Sequence, residues 1–372
     1  MMATGRKVPF FNYPFVFKSS EEQFVATFRD VGSRGAFIMQ KDLSEFEQNL
    51  AAYCGAKYAV GVANATDGLQ IALQAGGVGV GDEVLFCTHT MVATASAIHY
   101  AGATPIPVDV GSDHLINSEC IENAITKRTR AIVPTQLNGR TANMKPILEI
   151  AKKHNLLIFE DAAQALGSRW NGLHAGTFGV ASCISFYPAK LLGCLGDGGA
   201  VLTNDGNVYE KLLLLRDHGR DSRTGDVVCW GHNTRLDNLQ AAFLDFQLTS
   251  YDSVVNRRRQ IAQRYQEKLG SLPQLVLPPP PESGAHFDVY QNYEIEAENR
   301  DALKGYLLTN GIGTLIQWGG KAVHQFDKLG FRQSLPLADQ MFQSLLMLPM
   351  NMSLTDEDVD YVSDKIRAFY KK

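Results

Sequence analysis

Short apolar runs alternate along this chain with segments whose apolar residues recur at helical spacing. From about residue 42 the apolar runs are rich in Val, Ile and Leu, and amphipathic segments separate them. This alternation is typical of a parallel sheet wound with crossover helices. The pattern predicts seven strands in one large α/β sheet, over residues 58–62, 83–87, 104–108, 130–133, 156–159, 183–186 and 200–203.

The helix before the first predicted strand has a recognisable start. Asp42 is followed three residues later by Glu45, the spacing of a capping box. We therefore expect Asp42 to cap a helix that carries four apolar side chains on one face: Leu43, Phe46, Leu50 and Tyr53.

A different pattern follows toward the C-terminus. A helical stretch over about 238–269 is followed by four consecutive prolines within 277–284, which neither a helix nor a central strand can contain. We predict a large domain over residues 1–250 and a smaller α+β domain over 251–372. The smaller domain is expected to contain a strand over 290–296, a helix over 301–310 and a closing helix over 355–370 that begins at Thr355.

Composition narrows the class of protein. The chain has 372 residues, of which 45% are hydrophobic and 20% charged, with a formal net charge of -4. These values are typical of a globular protein, and they argue against disorder and against a nucleic-acid partner. The six cysteines lack the spacing of a metal site or a disulfide framework, so we expect no metal and a cytoplasmic protein with reduced thiols. No apolar run approaches the roughly 18 residues of a membrane span, so we expect no membrane association.

Residues that follow the predicted strands could carry chemistry, because open α/β sheets bind ligands beyond the carboxyl ends of their strands. Asp161 and Gln164 follow the fifth strand, Ser185 and Lys190 follow the sixth, and Thr66 opens a helix after the first. Alone, each has an ordinary structural interpretation. Together they offer a lysine for an aldehyde, an acid for a ring nitrogen, and a hydroxyl and a helix N-terminus for a phosphate, which are the groups that pyridoxal phosphate needs.

Three stretches carry a more specific resemblance. The segments FEDAAQALG (159–167), ISFYPAK (184–190) and GDGGAV (196–201) resemble the nucleotide-sugar aminotransferases of the DegT/StrS family. The resemblance implies a pyridoxal-phosphate-dependent, aspartate-aminotransferase-like fold, with a seven-stranded, mostly parallel sheet. It also implies a cofactor that alternates between pyridoxal and pyridoxamine phosphate, and transfer of an amino group from L-glutamate to the C3 or C4 keto group of a nucleotide-linked deoxysugar.

The resemblance assigns roles to particular residues. Lys190 matches the lysine that bonds to the cofactor and then moves a proton. Asp161 matches the acid that pairs with the ring nitrogen, and Gln164 the side chain beside the ring's 3-hydroxyl. The residues that match the phosphate-binding positions are Ala65, Thr66, Asp67 and Ser185.

Four further positions bear on the partner and the substrate. Asn233 matches an asparagine that reaches the phosphate of the neighbouring subunit, which implies a homodimer with shared active sites. His324 matches a histidine that faces the sugar. Met91 stands where an aromatic ring usually stacks on the cofactor, so either a thioether covers the ring or His89 takes over. The segment 317–320 also departs from the usual proline-containing version, which affects the prediction of the substrate rather than of the cofactor.

Three alternatives remain open at this point. The chain could be an aminotransferase for a cyclic keto-polyol, or a sugar dehydratase on the same fold, although that branch of the family has histidine where this chain has Lys190. It could also be a non-catalytic sensor that keeps the cofactor site.

Overall fold

The computed structural model describes residues 6–281 and 284–371; Glu282 and Ser283, in the predicted proline-rich connection, lie outside the described residues. The strands, in chain order, are β1 (Tyr58–Val62), β2 (Glu83–Cys87), β3 (Thr104–Val108), β4 (Thr129–Val133), β5 (Leu157–Asp161), β6 (Arg169–Trp170), β7 (Leu173–His174), β8 (Ala181–Ser185), β9 (Gly199–Thr203), β10 (Leu275–Val276), β11 (His286–Phe287), β12 (Tyr293–Ala297) and β13 (Leu345–Leu348). The helices are α1 (Tyr13–Lys18), α2 (Glu21–Arg34), α3 (Lys41–Cys54), α4 (Ala65–Ala75), α5 (Val92–Tyr100), α6 (Ser118–Ala124), α7 (Met144–His154), α8 (Gly206–Arg216), α9 (Asn238–Leu248), α10 (Tyr251–Leu269), α11 (Arg300–Thr309), α12 (Pro336–Met341) and α13 (Asp356–Tyr370).

The seven predicted strands form the large sheet, which confirms the predicted fold class. Their order is β1-β9-β8-β5-β4-β2-β3, and the sheet is parallel except at β9, which runs antiparallel to both of its neighbours. Every residue of β2 and of β9 is buried, because helices cover both faces of the sheet. Burial on both faces explains why these strands have continuous apolar runs rather than alternating patterns.

The predicted capping box of α3 is wrong. The helix begins at Lys41, and the residue at its N-cap is Gln40, whose side chain makes no capping hydrogen bond. Asp42 instead lies in the first turn and accepts hydrogen bonds from Arg34 at 2.9 Å and from Asn238 at 2.7 Å. The Asp42 carboxylate, which the sequence spacing predicted to cap α3, therefore binds residues that are distant in the sequence instead.

A smaller antiparallel sheet, β10-β12-β13, packs with α10, α11 and α13 at the C-terminal side. The predicted 238–269 stretch is two helices, α9 and α10, separated at Thr249 and Ser250. The strand predicted over 290–296 forms three residues later, as β12. Thr355 caps α13 as predicted, with its hydroxyl accepting from the Asp358 amide.

The first described residues pack on this smaller sheet rather than on the large one. Val8 bridges to Ile312, and Asn12 donates to the Ser353 hydroxyl at 2.9 Å. Val8 is buried in the same apolar cluster as α11 and α13. The boundary predicted at residues 250 and 251 coincides with the start of α10, and the division into two domains stays a prediction.

Among the described residues, no helix has both the length and the apolar character that crossing a membrane requires.

Candidate active site

A cavity of about 700 Å³ lies between the carboxyl ends of the large sheet's strands and the smaller sheet. This volume is within the range of small-molecule binding sites. Its wall combines residues from distant parts of the chain, including Thr66, Asp161, Gln164, Ser185, Lys190 and Trp318. The structure therefore brings together the strand-end residues that the sequence singled out.

One end of the cavity is the N-terminus of α4. Asn64 caps this helix, with its side-chain oxygen accepting from the Asp67 amide at 2.9 Å. The N–H groups of Ala65 and Thr66, in the first turn, have no carbonyl partner within the helix, and both residues line the cavity with Ser185. Gly199 allows the helix to begin this close to the sheet, because a β-carbon there would lie 2.6 Å from the carbonyl carbon of Asn64. The arrangement offers backbone donors and a hydroxyl to an anion.

Asp67 lies behind this helix end. Its carboxylate accepts from the Thr234 hydroxyl at 2.8 Å, and it does not belong to the cavity wall. Asp67 thus ties the start of α4 to the segment before α9. Its predicted contact with a phosphate stays a prediction.

Asp161 ends β5 and faces the cavity with both carboxylate oxygens held. The Thr94 hydroxyl donates to one oxygen at 2.5 Å, and the Ala163 amide donates to the other at 3.2 Å. Because Thr94 donates to Asp161, the neighbouring Thr90 hydroxyl must donate to Thr94, at 2.7 Å. Two threonine hydroxyls at the start of α5 therefore orient the carboxylate, and local sequence patterns did not indicate this role.

Lys190 follows β8 in a tight turn and reaches the same cavity. Burial lowers the pKa of Lys190 to about 8, although the nearby Asp161 carboxylate acts in the opposite direction. A large fraction of this lysine is therefore neutral near pH 8, where its amine can react with a carbonyl or accept a proton.

The turn that carries Lys190 is clamped by Gln291. The side-chain nitrogen of Gln291 donates to the Ala189 carbonyl at 2.9 Å, and its oxygen accepts from the Leu191 amide at 3.1 Å. Gln291 is buried and precedes β12, 101 positions after Lys190. Sequence reasoning missed it, since nothing near Gln291 in the sequence signals the contact.

Gln164 is fixed on the cavity wall through its side-chain oxygen. That oxygen accepts from the Asn138 backbone amide at 3.0 Å and from the Asn292 side chain at 3.2 Å. Asn138 comes from the loop after β4, and Asn292 from the segment before β12. Both were missed by sequence reasoning.

Met91 lies on the cavity wall and is 53% exposed. His89 does not take over its position: the ring is fully buried outside the cavity, where its Nδ1 pairs with the His114 carbonyl at 2.9 Å. His89 packs edge-to-face against Trp318, with 5.6 Å between ring centres. The alternative that His89 replaces the stacking ring is therefore wrong, because His89 packs behind Trp318 rather than on the cavity wall.

Trp318 has a backbone conformation that is rare for a large side chain. Its φ is 47°, and the two glycines that follow it, Gly319 and Gly320, also have positive φ, of 71° and 79°. Such a conformation persists only where the surroundings hold it, and it is often found at functional sites. Here it places the indole on the cavity wall.

His324 and Asn233 do not line the cavity within the described chain. The ring of His324 is buried, with Nδ1 paired to the Thr88 hydroxyl at 2.8 Å and Nε2 to Asp339 at 3.1 Å. Asn233 is exposed on the surface. Their predicted contacts with the sugar and with a neighbouring subunit stay predictions.

A buried charge cluster joins the two sheets beside the cavity. Burial alone would raise the pKa of Glu294, but the neighbouring His89 and His114 lower it to about 2. Burial alone would lower the pKa of His114, but the neighbouring carboxylates of Glu294, at 3.9 Å, and Glu296, which is hydrogen-bonded at 3.1 Å, raise it to about 9. Glu294 is therefore a permanent anion over the whole range of ordinary pH.

Comparison with known proteins adds a second line of evidence. A family model described as the DegT/DnrJ/EryC1/StrS aminotransferase family matches residues 18–367. The chain is 36% identical over 372 residues to a dTDP-3-amino-3,4,6-trideoxy-alpha-D-glucose transaminase from Streptomyces venezuelae, covering 98% of this chain and 97% of the relative. It is also 36% identical over 368 residues to a protein named pleiotropic regulatory protein from Geobacillus stearothermophilus, covering 98% of this chain and 99% of the relative.

A solved structure agrees with the fold. The crystal structure of NtdA from Bacillus subtilis, with bound cofactor PMP, superposes with a TM-score of 0.90 at 27% identity, covering 98% of this chain and 86% of that one.

Proposed function

The chain belongs to the DegT/DnrJ/EryC1/StrS aminotransferase family, and we propose that it transfers an amino group from L-glutamate to a nucleotide-linked keto-deoxysugar. The cofactor is pyridoxal phosphate, with pyridoxamine phosphate as its amino-carrying form. The observation that carries the proposal is that Lys190, Asp161, Ser185 and the start of α4 line one cavity. The product would serve polysaccharide or glycoside biosynthesis.

The residues present fit this cofactor at three points. The free N–H groups of Ala65 and Thr66 and the Ser185 hydroxyl suit the phosphate, since a helix N-terminus favours an anion. Asp161, at another part of the wall, suits a protonated ring nitrogen. Lys190 supplies the amine that an aldehyde requires.

Bound pyridoxal phosphate supplies an aldehyde that can carry an amino group and a ring that accepts electrons. The task of Asp161 is to keep a proton on the ring nitrogen, which a carboxylate does best when its position is fixed. Thr94 and the Ala163 amide hold one carboxylate oxygen each, so Asp161 cannot turn away from the cavity. This pre-organisation avoids rearrangement during the reaction.

Lys190 is the proton carrier in this account. Its pKa of about 8 lets Nζ accept a proton from the carbon next to the transferred nitrogen and release it again, because efficient acid–base groups have pKa values near the working pH. The Gln291 clamp restricts the Lys190 turn, so that the amine returns to the same place in both half-reactions. Met91 covers part of the wall beside these groups.

We propose a homodimer with shared sites, which would account for exposed apolar side chains of the described chain. Trp230 is 98% exposed, Val227 and Val228 lie beside it, and Tyr187 at the cavity wall is 52% exposed. A second copy of the chain would cover such a patch, which monomeric proteins rarely leave open. In that arrangement we expect Asn233, close to Trp230 in sequence, to reach the phosphate in the neighbouring site. We place the reaction in the cytoplasm.

Product analysis tests the function. The purified enzyme with pyridoxal phosphate and L-glutamate should aminate a keto sugar linked to dTDP or UDP, and mass spectrometry should show replacement of oxygen by nitrogen. Lys190→Ala should abolish this, whereas Lys211→Ala, which removes a lysine that donates to the Ala75 carbonyl outside the cavity wall, should not. Amination of a free cyclic keto-polyol in preference to every nucleotide sugar would contradict the proposal.

A second candidate, a non-catalytic regulator, is favoured by the name of the Geobacillus stearothermophilus relative. The chain nevertheless keeps Lys190 and Asp161 on one cavity. Turnover that depends on Lys190 would exclude this candidate.

A further inference from the structure

A chain of side-chain amides connects the cavity to the buried Glu294. Asn138 donates its side-chain nitrogen to Glu294 Oε1 at 2.9 Å. The Asn138 oxygen accepts from Asn292 at 2.8 Å and from Gln317 at 2.7 Å. Asn292 also donates to the Gln164 oxygen at 3.2 Å. The two asparagines thus join Glu294, at one end, to Gln164 on the cavity wall.

The direction of every bond in this chain is determined by its ends. An ionised carboxylate can only accept, so the Asn138 atom facing Glu294 must be its NH₂ group, and the other atom must be an acceptor. Asn292 must therefore present its NH₂ group to Asn138. The second hydrogen of that NH₂ group points to Gln164, which must accept it with oxygen.

A second, independent constraint gives the same result. The Asn138 backbone amide lies 3.0 Å from the same Gln164 atom, and a backbone N–H can only donate. That atom is therefore oxygen by both arguments, and the NH₂ group of Gln164 is the end left to face the cavity. Within the described part of the chain, no hydrogen bond involves that nitrogen.

We propose that Asn138, Asn292 and Glu294 are positioning residues that hold Gln164 as a hydrogen-bond donor toward the ring oxygen of the cofactor. The proposal rests on the proposed function and adds the sense of this contact and the residues that enforce it. Glu294 and Asn292 belong to the smaller domain and Gln164 to the larger one. This series of hydrogen-bonded amides therefore makes the orientation of the Gln164 NH₂ group depend on the position of the smaller domain.

A donor aimed at the ring oxygen weakens that oxygen's attraction for the proton shared with the neighbouring Lys190 nitrogen. Loss of the donor should therefore raise the pH at which the visible band of the cofactor-loaded enzyme changes. In Asn292→Ala, where the Gln164 oxygen loses one of its two donors, we expect an upward shift of about half a pH unit to one unit, the size of one ordinary hydrogen bond between neutral groups.

The experiment is a pH titration of the visible absorption of the enzyme loaded with pyridoxal phosphate, for wild type, Asn292→Ala and a control. Asn310→Ala is the matched control, since Asn310 is also half-buried on the C-terminal side and its side-chain nitrogen donates to the Tyr306 carbonyl of its own helix, away from Gln164. Asn292→Asp, which keeps the volume, is the second variant. The new carboxylate would face the Asn138 and Gln164 oxygens, both of which need a donor. The midpoint of the Asn292→Asp titration should therefore rise at least as far as that of Asn292→Ala.

Midpoints raised in both Asn292 variants and unchanged in Asn310→Ala would support the proposal. A wild-type band with a midpoint that neither Asn292 variant moves would overturn the proposal and leave the proposed function intact. A wild-type protein that binds no pyridoxal phosphate would overturn both.

Discussion

Replacing Gly199 with alanine tests the phosphate end of the cavity without substituting any residue that would itself contact the cofactor. Gly199 opens β9 and packs against the start of α4, where a β-carbon would lie 2.6 Å from the Asn64 carbonyl carbon and 2.7 Å from the Ala65 nitrogen. Both neighbours are backbone atoms, so no side chain can rotate away. The helix start must move.

The size of the movement follows from the geometry. Ordinary contact begins at 3.4 Å, so the backbone at Asn64 and Ala65 must retreat by about 0.8 Å. We expect a cost of about 1–3 kcal/mol in folding stability, typical of overpacking. A displacement of this size also misplaces the N–H groups of Ala65 and Thr66, so we expect the affinity for pyridoxal phosphate to fall by at least about tenfold, since one hydrogen bond to a charged group contributes about 1.5–3 kcal/mol.

The assay compares two ligands by absorbance titration: pyridoxal phosphate, and pyridoxal, which lacks the phosphate. Gly199→Ala should weaken binding of the first far more than of the second. Gly206→Ala is the matched control, because a β-carbon at Gly206 meets nothing nearer than the Tyr58 hydroxyl at 3.7 Å. An equal loss for both ligands, or no loss for either, would refute the assignment of α4 as the phosphate site.

Two further predictions concern the assembly and the charge cluster. Mixing inactive Lys190→Ala with inactive Asn233→Ala should restore activity, because a hybrid dimer keeps one complete site; mixtures that stay inactive under subunit exchange would count against shared sites. His114 has a pKa of about 9 in the folded protein against 6.5 normally, so its ion pair with Glu294 stabilises the fold fully below pH 6.5 and is lost as pH rises through 9. As the pH rises between these values, the melting temperature of His114→Gln should therefore fall less than that of the wild type. An equal fall in the two proteins would disprove the role of the pair.

The sheet could be predicted because its strands are short apolar runs and most of their residues are buried. The predicted 58–62, 83–87 and 104–108 match β1, β2 and β3 residue for residue. Errors occur where contacts between distant residues replace local signals. Asp42 was expected to cap α3, but it binds Arg34 and Asn238 instead.

The same distinction applies to the site. Lys190 and Asp161 could be found because they follow strands, and the carboxyl ends of parallel strands meet at one edge of a sheet. Gln291, Asn292 and Asn138 could not, because their roles depend on contacts with residues that are distant in the sequence. Family resemblance marks the residues that would touch the cofactor more readily than those that orient them.

Lys190 and the groups around it are proposed to form a working transamination site. The most direct test is the visible absorption spectrum of the purified protein with pyridoxal phosphate, recorded before and after addition of L-glutamate, with Lys190→Ala as the reference. We expect a visible band in the wild-type protein that bleaches on addition of glutamate, and no such band in Lys190→Ala. A band that persists in the presence of glutamate would contradict the proposed amino donor, and the absence of any band in the wild-type protein would contradict the site itself.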